Sequence, residues 1–232
     1  MSLLSAKKGR RMAALGAVGL GVCAALAACA PVQMGSAAIV GNQRITVSTL
    51  DTQVSNWEAA AKPFGSTVQL TSAQAPAQVL SWMIRFSVMD QVAAANGINV
   101  TQQQAAAGLS NLNSQASSYG YSSGKELLIA SGVPPQLFDQ VGLWNAQVMA
   151  YELKANHGKT PTTQAEETNI TNAVNKAECS AAKSLNIQVS PQFGRFDYAT
   201  ATFGVVPAAD VLSRPAGTPS PASTEGLTAA AC

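Results

Sequence analysis

The chain has 232 residues, of which only 11% are charged, and carries 14 Lys+Arg against 12 Asp+Glu for a net charge of +2. Four of the basic residues (Lys7, Lys8, Arg10, Arg11) fall within the first 28 positions, so the rest holds ten basic against twelve acidic residues, a net −2. That balance removes the electrostatic motive for nucleic-acid binding. Solubility then rests on neutral Ser, Gln and Asn, as in an exported protein.

The N-terminal order is a basic run, an apolar run from Met12 to Ala28, and Leu26-Ala27-Ala28-Cys29. The apolar run suits export but is short for a stable spanning helix. The small residues before Cys29 read as a lipobox. On that reading residues 1–28 are a lipoprotein signal peptide, the Cys29 sulfur carries a diacylglyceryl group with palmitate-type chains, and 29–36 form a tether. Two acyl chains or more give a stable anchor at ~0.8 kcal/mol per buried CH₂. The body is then expected on the outer face of the cell membrane. An ordinary signal peptide cut elsewhere, or an uncleaved anchor, is the alternative.

Ala37-Ala38-Ile39-Val40 reads as a strand, Gly41-Asn42 as a turn and Arg44-Ile45 as a return strand, before Thr46 or Ser48 caps a helix. That helix places Val47, Leu50, Val54 and Trp57 on one face and stops near Pro63-Phe64-Gly65. A second helix is predicted over about 73–95, ending at Asn96-Gly97. Its centre is apolar around most of its circumference, which marks it as central or as lining a groove. Thr101-Gln102-Gln103-Gln104 has capping-box spacing for a third helix to about Ser118. A short helix over 125–130 follows a Tyr119–Gly124 loop.

Pro134-Pro135 opens the most regular helix, with Leu137, Val141, Trp144, Val148 and Tyr151 as a seam and Gly158 as its stop. A last helix runs from after Thr162 to about Leu185, with Ile170, Val174, Ala177 and Ala181 inward. Ile187-Gln188-Val189 is strand-like, Pro191–Asp197 a compact turn, and the strand is expected to pair with Ala37–Val40. The body is placed at 37–198 and the remainder, 199–232, is a disordered tail. From about Pro207 that tail is Ala, Pro, Ser, Thr and Gly, too poor in apolar residues to order itself. The fold class is mostly α: five to six helices closed by a two- to three-stranded β ribbon that joins the two ends.

Four stretches in this order carry a resemblance: Ala38–Thr46 with Leu50, Asn96–Thr101, Gly132-Val133-Pro134 and Leu185–Asp197. Together they resemble the N-terminal chaperone domain of the SurA/PrsA family of exported folding factors, in an actinobacterial-type lipoprotein form, over about residues 37–198. The turn is Gly-Asn where many relatives have Asn-Gly. Longer members insert a parvulin prolyl isomerase domain, and the connection from His157 to Ala165 leaves no room for one. The resemblance implies the client-binding half of such a factor without its catalytic half.

No catalytic apparatus stands out. His157 is the single histidine and sits beside a helix-ending glycine, where its role is with the helix dipole. No Gly-x-Ser-x-Gly elbow, phosphate loop or metal-ligand cluster is present, so no enzyme activity, cofactor or metal is expected. Cys179 and Cys232 remain free to pair, and outside the cytoplasm a disulfide between them is permitted.

The functional candidates are apolar: Trp82, Met83, Phe86 and Met89 on the second helix, with Phe138, Trp144 and Met149 on the fifth. Large contact area with adaptable thioethers suits promiscuous peptide binding. The plainer reading makes them all core. Two functions follow: a membrane-anchored, ATP-independent holdase for unfolded exported polypeptides, or an adaptor lipoprotein docking on one cell-envelope partner.

Overall fold

A computed structural model describes residues 34–198 and 203–207. Strand β1 (Ser36–Val40) turns through Gly41-Asn42 into β2 (Gln43–Thr46), with Val40 opposite Gln43 and Ile39 opposite Arg44. The other side of β1 takes β3 (Gln188–Val189), Ala38 opposite Val189 and Ile39 opposite Gln188, both pairings antiparallel. The expected closure of the body by its two ends is therefore present, with β1 in the middle of the sheet. Gly41 adds a second clasp there: its N–H donates to Leu185 O at 2.7 Å. At φ +58° the position favours glycine, and an added Cβ would press on Leu185 Cδ2 at 2.8 Å.

Six helices fill the interval. Helix α1 (Val47–Ala61) is capped by Thr46, whose Oγ1 accepts from Thr49 N at 3.0 Å. It buries Leu50 and Trp57, and the Trp57 indole donates to Ile129 O at 2.7 Å, tying α1 to the end of α4 (Gly124–Ala130). Helix α2 (Ala75–Ala95) touches α1, α5 (Phe138–Ala155), α6 (Gln164–Leu185), β1 and β5 (Gly204–Val206), and Val79, Leu80, Ile84, Val88 and Met89 are wholly buried. It is the central helix that its near-uniform apolarity called for.

Helix α3 (Gln102–Gln115) starts with the expected capping box, Thr101 with Gln104. Helix α5 (Phe138–Ala155) follows a 3₁₀ turn over Pro135–Leu137, and α6 (Gln164–Leu185) opens with a second capping box, Thr163 with Glu166. Leu137 and Val141 of the α5 seam are buried, while Trp144, Val148 and Tyr151 pack against the core from its margin. The second and fifth helices meet, as their apolar faces require.

The closing segment differs from expectation. Order does not stop at residue 198, because β4 (Arg195–Asp197) pairs with β5 (Gly204–Val206), Phe196 opposite Val205. Phe196 and Val205 are buried, Val205 N donates to Ser81 Oγ at 2.8 Å, and the Arg85 guanidinium donates to Phe203 O at 3.2 Å, so the hairpin is fastened to α2. Phe203, Val205 and Val206 supply the apolar surface that a tail beginning at 199 was not credited with. The polar low-complexity stretch starts only after Pro207. Residues 208–232 and 1–33 lie outside the described residues, and with them the signal-peptide, tether, Cys29 and Cys232 assignments.

Candidate functional site

Helix α5 shows the core its seam and leaves a second face uncovered. Met149 and Leu153, one turn apart off the seam, are 47% and 46% exposed. They line a cleft of about 700 Å³ walled by α3, α5 and the start of α6, with Ala146, Ala150 and Ile170 also on its surface. Helices α3 and α6 both pack on α5 and barely touch each other, which is why the space stays open.

On the side of the cleft formed by α3 and α5, those helices meet backbone to backbone. Gly108 and Gly142 sit at the crossing, and Asn145 Nδ2 donates across it to Gly108 O at 2.9 Å. A neighbouring cleft of about 390 Å³ lies between β2, α1, α2 and α5. Its apolar wall includes Met83, Phe86 and Trp144, and its polar wall includes Gln43, Gln53 and Asp90, the last accepting from Gln147 Nε2 at 2.8 Å.

The seven aromatic and methionine candidates therefore do not share one surface. Met89 is wholly buried and Phe86 nearly so. Trp82 and Trp144 pack edge to face, centroids 5.7 Å apart, and the Trp82 N–H is held by Ser131 O at 2.8 Å. Phe138 and Met83 are half-buried against the core. Met83, Phe86 and Trp144 reach the smaller cleft, and Met149 alone reaches the larger. Leu153 was overlooked by sequence reading, although its i, i+4 relation to Met149 outside the α5 seam was a usable signal.

Two carboxylates are held above the ordinary range by burial. Glu178, on the inner face of α6 between Val174 and Ala181, is 8% exposed, and burial pushes its carboxyl above the usual range. The Arg85 charge and the nearby Trp144 N–H offset part of that shift, yet neither Trp144 Nε1 nor Glu178 Oε1 closes a hydrogen bond of ordinary geometry. Arg85 also lies 5.2 Å from the Trp82 ring centre, a cation–π contact. Glu152, in the wall of the larger cleft, is likewise raised by burial.

Cys179 is disulfide-bonded, and since the other cysteines are Cys23, Cys29 and Cys232, its partner lies outside the described residues. Among the described residues no three His, Cys, Asp or Glu side chains converge as a metal site would require, and no helix is long and apolar enough to cross a membrane. Comparison with protein-family models, with curated proteins and with solved structures finds no significant match.

Proposed function

We propose that this chain is a lipid-anchored extracytoplasmic holdase that shields apolar segments of unfolded exported polypeptides, without ATP and without isomerase activity. The observation that carries this reading is the open 700 Å³ cleft with Met149 and Leu153 half-exposed in its wall. Scattered surface leucines need no explanation, but two large apolar side chains side by side in a concavity mark an interaction site. The pairing of β1 with β3 supports the kinship with SurA/PrsA folding factors, which needs the ends of the body to meet. The seat on the membrane through Cys29 belongs to the same proposal.

The test is aggregation of a chemically unfolded exported protein, followed by light scattering with the full chain in molar excess. Slower aggregation is expected, with the effect reduced by Met149→Gln combined with Leu153→Gln. No protection at any ratio sinks the reading. An affinity capture from membranes that returns one dominant envelope partner would favour the adaptor function instead.

A further inference from the structure

Glu152 stands where a charge is costly. On α5 it lies three residues after Met149 and immediately before Leu153, in the wall of the larger cleft. Lys159 and Glu167 also line that cleft, but among the described residues no side chain forms an ion pair or hydrogen bond with the Glu152 carboxylate. Burial is the sole cause acting on its pKa, and it acts upward. A half-buried carboxylate without a partner destabilises the free protein, and that penalty is relieved when a cation is brought to it.

We propose that the cleft takes apolar segments carrying a lysine or arginine, and that Glu152 is the residue that selects them. This rests on the client-binding reading above. Met149 and Leu153 supply contact area, which by itself sets no register. A single carboxylate beside them adds one: the basic residue of the segment must fall at Glu152 while its apolar neighbours cover the two side chains. The charges lining the cleft are two carboxylates and one amine, so an approaching cationic segment is attracted and an acidic one repelled.

The experiment measures binding of two short fluorescent peptides of Leu, Phe, Ala and Ser, identical except for a central Lys or Gln, to the full chain in mild detergent. The Lys peptide should bind the wild type about fivefold tighter or more. Glu152→Gln should bring the two affinities together while leaving the Gln peptide's affinity unchanged, and Met149→Gln with Leu153→Gln should weaken both. Equal affinities in the wild type, or a preference that survives Glu152→Gln, overturns the selection and leaves client binding standing. If neither peptide binds, client binding itself fails. A dimer that Leu153→Gln dissociates would make a second copy the occupant and also overturn the proposal.

Discussion

Gly108 on α3 and Gly142 on α5 lie back to back: a Cβ on Gly108 would fall 2.5 Å from Gly142 O, and one on Gly142 would fall 2.5 Å from Ala105 O. Both obstacles are backbone, which cannot swing aside. The two helices approach at a distance that only hydrogen on both α-carbons permits, and the floor of the larger cleft, which includes Gly108 and Ala146, is a product of that approach.

Gly142→Ala is therefore expected to destabilise the protein. Overpacking of this kind costs about 3 kcal/mol at the upper end of its usual range, against a helix-propensity gain of about 1 kcal/mol. A net loss of about 2 kcal/mol should appear in urea unfolding. A variant as stable as the wild type would mean that α3 and α5 do not touch here.

Glu152 predicts a pH dependence with a defined sign. Its folded-state pKa is raised, so the folded protein holds the proton more tightly than the unfolded chain. The penalty is fully present above the folded pKa and fades as pH falls through it toward the ordinary carboxylate value. Stability should thus rise on mild acidification from neutrality, and Glu152→Gln should be more stable than wild type at neutral pH with part of that rise removed. Denaturant midpoints at several pH values would check it; identical pH profiles for the two proteins would refute it.

Arg85 and Glu178 make the buried charges of α2 and α6 interdependent. Losing one member of a buried pair costs about 3–5 kcal/mol, whereas replacing both with apolar side chains is often tolerated. Arg85→Met should cost about 3 kcal/mol or more, and Glu178→Leu in the same chain should recover part of the loss. A double-mutant cycle with additive effects would show that the two charges do not communicate.

Peptide mapping without reductant should recover Cys179 joined to Cys232. A bond from Cys179 to Cys29 would be more than a different pairing, because a sulfur engaged in a disulfide cannot carry a diacylglyceryl group. That result would remove the lipid anchor together with the predicted bridge.

What could be read in advance followed from local chemistry. Thr101 and Gln104 announce a helix start by spacing alone, Asn96-Gly97 announces a stop, and the strand-like Ala37–Val40 needed a partner that Ile187–Val189 could provide. What escaped depended on neighbours distant in the chain. Gly108 and Gly142 look like weak points in two helices until each is seen as the other's clearance. Glu178 interrupts an apolar stripe, and only the folded chain brings Arg85 and Trp144 near enough to offset part of the cost of burying it. The strand Gly204–Val206 was hidden by its closeness to a polar, proline-rich sequence, although Phe203 and Val205 had apolar bulk enough to dock on α2. The cleft is invisible in any single helix, since α3, α5 and α6 create it jointly.

The placement of β1 at the centre of its sheet has a temporal side. One neighbour, β2, follows it immediately, while the other arrives about 150 residues later, a long-range contact of the kind that slows folding. A chain ending before Gln188 leaves β1 with a bare flank, and one ending before Leu185 also leaves Gly41 without the carbonyl that receives its N–H. The sheet can therefore be completed only after the whole of α6 has been made.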